Sequence, residues 1–96
     1  MAKERFKITP SVYLMLIKNG EILLSKRYNT GFCDGQYSLP AGHLDGNETF
    51  IQALIREVKE EVGIKLDPAK LKLVHTMNRK STEERVDFFF TTDKYV

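Results

Sequence analysis

The sequence predicts an α+β fold, in which one amphipathic helix packs on a mixed β-sheet in an α/β/α layered domain. The first observation is a short apolar run, residues 12–17, whose length and polar flanks are typical of a buried strand. The second is a helical stripe of aliphatic side chains within residues 49–62. The third is a pair of later apolar segments, residues 71–77 and 86–92, which indicate two more strands.

The first strand is expected to turn back at Asn19-Gly20. Because both residues tolerate positive φ, this dipeptide favours a two-residue hairpin turn, and residues 22–27 would form the return strand. Residues 37–39 are a short strand candidate that ends at Pro40. Turn-forming or polar residues predict three further connections, at residues 28–36, 41–47 and 78–85.

The helix is predicted from residue 49 to residue 62. Either Asn47 or Thr49 could cap its start, and Gly63 suits its C-terminal end, where the backbone turns left-handed. Five aliphatic side chains fall on one stripe about 100° wide, the width of a core-facing side. They are Ile51, Leu54, Ile55, Val58 and Val62.

Size, charge and cysteine content narrow the class of protein. A chain of 96 residues is one domain at most, and its net charge of +2 is too small to indicate a nucleic-acid scaffold. The single cysteine, Cys33, excludes an internal disulfide and fits a reducing cytoplasm. The charged N-terminus lacks a signal-peptide core, and the longest apolar run is too short to cross a membrane. We therefore expect a cytoplasmic protein without a membrane span.

The predicted helix also carries an acidic face. Glu57, Glu60 and Glu61 stand at i, i+3 and i+4, so their side chains converge and repel one another. A divalent cation would reverse the sign of that interaction, and Mg²⁺ prefers such hard oxygen ligands together with water and substrate phosphate. The alternative is a solvated charged face, which many helices carry.

These glutamates lie within a longer pattern that begins at Gly42 and ends at Ile64. It has the form Gly-x5-Glu-x7-Arg-Glu-U-x-Glu-Glu-x-Gly-U, where U is aliphatic, and every specified position matches. The sequence therefore resembles the Nudix (MutT-like) hydrolase family and contains its complete motif. Residues 29–43 are also similar to the segment that precedes the motif in many bacterial members. The resemblance implies an α/β/α Nudix sandwich with a loop-helix-loop motif on the sheet.

The resemblance also implies roles for the residues of the motif. Glu57, Glu60 and Glu61, with the backbone carbonyl of Ala41, would bind Mg²⁺ or Mn²⁺, and Glu60 or Glu61 could instead deprotonate the attacking water. Arg56 would hold a catalytic glutamate in place. The structural positions of the motif would be Gly42, Glu48 and Gly63.

Outside the motif, the candidates for substrate binding are weaker. Arg27 and Arg79 could meet phosphates, although solvated strand ends are the more ordinary interpretation. Tyr37 could stack on a base or simply pack in the fold, and His43 adjoins the metal loop and could touch a phosphate. His75 is expected to be an ordinary strand histidine.

We expect the chain to hydrolyse, with Mg²⁺, a pyrophosphate bond in a nucleoside diphosphate linked to another group, such as a nucleoside triphosphate or nucleotide sugar. One alternative is a non-catalytic module that binds Mg²⁺ and nucleotide; another is a small RNA-binding or decapping-type protein. Because family members usually run well beyond 96 residues, we expect a C-terminal truncation without the second helix, and a homodimer could complete the fold.

Overall fold

A four-stranded mixed sheet forms the centre of the computed structural model, which describes residues 6–26, 35–80 and 82–93. In chain order the elements are β1 (Thr9–Leu14), β2 (Ile17–Lys18), β3 (Glu21–Ile22), β4 (Ser25–Lys26), β5 (Tyr37–Ser38), β6 (Ala41–His43), α1 (Phe50–Val62), a 3₁₀ turn (Pro68–Lys70), β7 (Lys72–Lys80) and β8 (Glu84–Thr91). The strand order is β6-β1-β8-β7, with β1 parallel to β8 and the other two pairings antiparallel. The predicted α+β architecture with a mixed sheet is confirmed.

The predicted hairpin turn is present, but its return strand is broken. Asn19 and Gly20 both have positive φ, 53° and 79°, and join β2 to β3. After two paired residues the chain turns inward: the Leu23 amide donates to the Leu16 carbonyl at 2.9 Å, and Leu23 packs against the core. The following strand, β4, pairs with β5 instead. One continuous strand over residues 22–27 was therefore a wrong prediction, and residue 27 itself lies outside the described residues.

The helix prediction is confirmed at both ends. Thr49, rather than Asn47, caps α1: its hydroxyl accepts from the Gln52 amide, and the Gln52 side chain accepts from the Thr49 amide. Gly63 ends the helix with φ 74°, and its amide donates to the Lys59 carbonyl. Among the described residues no helix is long and apolar enough to cross a membrane.

Two segments predicted as connections are paired strands. Within residues 41–47, Ala41–His43 form β6, because their backbone pairs with β1, for example Val12 with Gly42. Most of the predicted connection 78–85 is paired strand, because β7 continues to Lys80, which pairs with Glu84. Polar side chains suit this exposed hairpin, where they bond across the two strands. Of the predicted loop 28–36, residues 28–34 lie outside the described part.

The hydrophobic core lies between α1 and one face of the sheet. Its buried members include Val12 and Leu14 of β1, Leu54 and Val58 of α1, and Phe90 of β8. Because strand side chains alternate between faces, Tyr13 and Phe89 point to the opposite face, where their rings stack at 4.8 Å. Within the described ranges α1 is the only α-helix. This arrangement sets α1 against the short edge strand β6, and the motif residues meet there.

Candidate active site

The backbone of Gly42 lies directly against the side chain of Glu57. A Cβ atom built on Gly42 would overlap Cγ and Cδ of Glu57, so only glycine fits at this point of β6. Gly42 lies in a strand and does not have positive φ, so close approach, rather than a turn, explains it. Glu57 is thereby held at the junction of α1 and β6, with 19% of its side chain exposed.

Arg56 connects the helix to the loop that precedes it. Its guanidinium makes a two-atom contact with Glu48, through Nε to Oε2 at 3.2 Å and Nη2 to Oε1 at 2.9 Å. Its Nη1 donates to Oε1 of Glu57 at 2.8 Å, and its Nη2 donates to the carbonyl of His43 at 3.3 Å. More distant ion pairs join it to Asp45 at 3.3 Å and Glu60 at 3.6 Å. Arg56 therefore fixes Glu48 and Glu57 relative to the β6 backbone.

The charges around Arg56 change its titration and that of Glu48. The hydrogen bond from Arg56, followed by that from the Asp45 amide, lowers the pKa of Glu48 below its ordinary value. The hydrogen bonds to Glu48 and then Glu57 raise the pKa of Arg56. Both groups therefore stay charged at neutral pH, and the Glu48–Arg56 pair persists as an ion pair.

Glu61 contacts β6 at Ala41, the residue before Gly42. Its Oε2 accepts a hydrogen bond from the amide of Ala41 at 3.2 Å. Strand β6 thus contacts α1 at two adjacent residues: Gly42 lies against Glu57, and the Ala41 amide donates to Glu61. The Ala41 contact uses the amide, whereas the sequence-based prediction concerned the carbonyl, which stays a prediction.

The three glutamates of the acidic face are held by protein donors. Arg56 is near Glu57 and Glu60, and the Ala41 amide bonds Glu61. Among the described residues, no three His, Cys, Asp or Glu side chains form a group arranged to hold a metal ion. The donor chemistry nevertheless fits a hard divalent cation, because each carboxylate has two oxygens and about four lone-pair positions.

A second polar cluster, Ser11, His43 and Arg85, lies beside the loop. The Nδ1 atom of His43 is 3.1 Å from the Ser11 hydroxyl, and its Nε2 is 3.2 Å from Nη2 of Arg85. Sequence reasoning missed Arg85 because it placed this residue in a connection. The signal that could have found it is the period-two spacing of Arg85 with Asp87 and Phe89, which places all three on one face of β8.

The remaining candidates are dispersed. Arg79 makes a two-atom contact with Asp87, with Nη2 to Oδ1 at 3.3 Å, and Asp87 is only 1% exposed. Tyr37 is 64% exposed on β5, with the Lys26 ammonium 5.8 Å from its ring centroid. His75 packs near Phe89, as expected of a strand histidine, with ring centroids 5.5 Å apart. Two residues named from the sequence, Arg27 and Cys33, lie outside the described part.

Comparison with known proteins decides the family. The NUDIX domain family matches residues 7–96, which is nearly the whole chain and includes the motif. The chain belongs to the Nudix family. Residues 42–64, from β6 through α1, are therefore the Nudix motif of the fold, and Arg56 and Glu57 are the motif's arginine and first helical glutamate.

Alignments with named Nudix relatives cover about two thirds of this chain, and the relatives themselves are longer proteins. The NAD-capped RNA hydrolase NudC of Stutzerimonas stutzeri is 34% identical over 62 residues, which are 65% of this chain and 22% of that protein. The ADP-ribose pyrophosphatase of Methanocaldococcus jannaschii is 38% identical over 66 residues, 67% of this chain and 38% of that protein. The chain thus spans well under half the length of both relatives.

The fold is likewise that of Nudix structures. The crystal structure of a MutT/nudix family protein from Enterococcus faecalis superimposes with a TM-score of 0.81. The match has 23% sequence identity and covers 96% of this chain and 39% of that one. Family members generally use a divalent metal ion, which agrees with the oxygen-rich donor set on α1.

Proposed function

We propose that residues 1–96 act as a single Nudix domain that hydrolyses, with Mg²⁺, a pyrophosphate bond in a nucleoside diphosphate linked to another group. One observation carries the proposal: Arg56 joins Glu48 and Glu57 while Glu57 lies against Gly42. The motif residues are therefore in mutual contact as well as correctly spaced in sequence. A solvated helix face would require no such network and no glycine at this position.

The metal would be held by Glu57, Glu60 and Glu61 and the carbonyl of Ala41. A bound Mg²⁺ or Mn²⁺ supplies neutralisation of phosphate charge and a lowered pKa for the attacking water. The protein supplies orientation: Arg56 keeps Glu57 against β6, and Glu48 keeps Arg56 in place. Glu60 or Glu61 would accept the proton of the water as its oxygen bonds to phosphorus and the bridging P–O bond breaks.

The substrate class follows from the chemistry that the relatives' names share. ADP-ribose contains a diphosphate bridge next to a nucleoside, and so does an NAD cap on RNA. The groups beyond the bridge differ between the two. The shared diphosphate is the part that a Nudix motif addresses, so we assign the substrate only as a nucleoside diphosphate bearing a further substituent.

A second candidate is a non-catalytic module that binds Mg²⁺ and nucleotide. The observation that favours it is that the motif carboxylates are engaged by Arg56 and Ala41, without a preassembled three-carboxylate group in the described residues. A cation would have to share or displace these contacts. Binding without turnover would be the signature of this alternative.

The test is a panel of nucleoside triphosphates, ADP-ribose and nucleotide sugars, assayed for released phosphate or nucleotide with and without Mg²⁺. Glu61→Gln should reduce turnover by about 100-fold or more, because it removes a carboxylate that polarises or deprotonates water. Its amide oxygen can still accept from Ala41, so the thermal unfolding midpoint should hold. Glu21→Gln, an exposed glutamate on β3, is the matched control and should act like the wild type.

Three outcomes separate the candidates. Metal-dependent turnover that is lost in Glu61→Gln and kept in Glu21→Gln supports the hydrolase. Calorimetric Mg²⁺ and nucleotide binding without turnover supports the non-catalytic module. Equal turnover by the wild type and Glu61→Gln would remove the catalytic role assigned to the acidic face of α1.

A further inference from the structure

Arg85 differs from the other two arginines of the described structure in how its charge is compensated. Arg56 and Arg79 each make a two-atom hydrogen-bonded contact with a carboxylate, Glu48 and Asp87 respectively. The acid paired with Arg85 is Glu83, whose Oε1 lies 3.8 Å from Nε, beyond hydrogen-bond distance. An arginine keeps its charge at any ordinary pH, so Arg85 carries a cation without a hydrogen-bonded counter-ion among the described residues.

The side chain of Arg85 also has an unsatisfied donor. Its Nε is buried and has no hydrogen-bond partner within the described ranges. Its Nη2 lies 3.2 Å from Nε2 of His43, which brings two basic side chains together. A buried donor without an acceptor is costly, and His43 supplies no negative charge to compensate the guanidinium. A phosphate oxygen that contacts the exposed part of the Arg85 side chain would compensate that charge.

The strand pairings place Arg85 close to β6, the strand in which the Nudix motif begins. Thr9 pairs with Arg85, and Ser11, two residues along the same strand, pairs with His43. His43 directly follows Gly42, against which Glu57 packs, and its carbonyl accepts from Arg56. The ring of His43 thus joins Arg85 to the segment that carries the motif, on the face of the sheet opposite the core.

We propose that Arg85 binds a phosphate group of the nucleotide substrate and that His43 positions it. The proposal rests on the proposed function and adds a binding residue that lies outside the Nudix motif. Ser11 orients the ring of His43 through Nδ1, which leaves Nε2 towards Arg85. The Arg85 guanidinium then presents its remaining donors to an anion on the face of the sheet opposite α1, beside the edge strand β6.

The test uses ADP as the probe and measures its binding by calorimetry in metal-free buffer, alongside steady-state kinetics on whichever substrate of the panel is hydrolysed. Arg85→Gln should weaken ADP binding by about tenfold or more, the loss expected for a charge-assisted hydrogen bond. It should raise KM by a similar factor with a smaller effect on kcat, since the contact serves binding. Arg85→Lys should recover part of the affinity because it keeps the charge.

Two further variants separate a specific contact of Arg85 from a general loss of positive charge. Lys72→Gln removes one positive charge from the exposed start of β7 and should leave ADP affinity unchanged. His43→Gln should raise KM less than Arg85→Gln does, as expected of a positioning residue. Should Arg85→Gln fail to fold, Arg85→Lys carries the test, because its affinity must still fall below that of the wild type.

The inference is overturned if Arg85→Gln binds ADP as the wild type does, if Lys72→Gln weakens binding equally, or if the wild type does not bind ADP at millimolar concentration. These outcomes are distinct from failure of the proposed function. Arg85-dependent ADP binding without turnover would support the phosphate site and reject the hydrolase. Turnover with an Arg85-independent KM would do the reverse.

Discussion

Gly42 and Glu57 are packed so closely that any side chain added at position 42 would displace Glu57. Glu57 lies in the space that any other side chain at position 42 would occupy, and Arg56 donates to Oε1 of the same carboxylate at 2.8 Å. The glycine of the motif therefore positions a carboxylate, and its absent Cβ is the physical reason for the residue type. A glycine that served only to form a turn would not position Glu57, so the two explanations predict different effects of a substitution at Gly42.

Gly42→Ala should disable the site while leaving the fold largely intact. The methyl group would displace Glu57, and a misplacement of about 1 Å in a catalytic group can cost about 100-fold in rate. The displaced atoms belong to a flexible side chain, so the free energy of unfolding should fall by no more than about 1–3 kcal/mol. Turnover and urea unfolding measure the two effects separately.

The matched comparison is Glu57→Gln, alone and together with Gly42→Ala. If the alanine acts through Glu57, the double variant should be no less active than the worse single variant, since both changes remove the same function. Multiplying losses would show that Gly42 acts on another part of the site. An active Gly42→Ala enzyme would contradict the close-packing explanation.

At the scale of the element, α1 has strong local signals at both ends. Thr49 and Gln52 cap each other's backbone amides at the start, and Gly63 closes the end in the left-handed region. The helix carries the four charged motif residues Arg56, Glu57, Glu60 and Glu61 between these ends, so its stability sets how well they are held. The Thr49 cap lies nearly two turns before Arg56, and its own side chain bonds the Gln52 amide rather than a motif residue.

Thr49→Ala should lower the free energy of unfolding by about 0.5–2 kcal/mol, because it leaves the Gln52 amide without its side-chain acceptor. Thr49→Ser keeps the hydroxyl and should lose much less. Urea unfolding of the two variants, of Gln52→Ala and of the Thr49→Ala/Gln52→Ala pair measures the coupling within the capping box. Equal losses for alanine and serine at position 49 would rule out the hydroxyl contact.

Features whose signals are local in the sequence are predicted from it, and features that depend on pairing between distant segments are missed. The ends of α1 follow from capping residues within a few positions, and the motif spacing predicts which side chains share its acidic face. The strand β6 was missed because its pairing depends on β1, about thirty residues away. The period-two pattern of β8 could have placed Arg85 on its face of the strand, but its meeting with His43 also requires the register of β8 on β1, which no local pattern contains.

At the scale of the whole molecule, Asp87 connects three strands. It lies on β8, is almost fully buried, and contacts Arg79 of β7 and the hydroxyl of Tyr13 on β1. Burial, followed by the charge of Asp87, raises the pKa of Tyr13, whereas the charges of Arg79 and Arg85 lower it. This polar cluster holds the long β7–β8 hairpin to the centre of the sheet from the face opposite α1.

Arg79→Gln should therefore destabilise the fold and change the titration of Tyr13. Removing the cation leaves the buried Asp87 carboxylate without its two-atom partner, at a cost of about 1–3 kcal/mol in unfolding free energy. The Arg79 charge lowers the Tyr13 pKa, so its loss should raise that pKa further. The fold favours the neutral phenol. Its contribution to stability is complete below about pH 10, the ordinary tyrosine value, and is lost as the pH rises through the folded pKa. Tyrosinate absorbance, taken as the difference between each protein and its Tyr13→Phe version, should move to higher pH in Arg79→Gln. The buried charge itself is tested by a double variant.

An Asp87→Asn/Arg79→Gln pair should recover part of the lost stability, because it removes the buried charge as well. A downward shift of the Tyr13 titration, or a double variant less stable than Arg79→Gln alone, would show that the hairpin is held by other contacts.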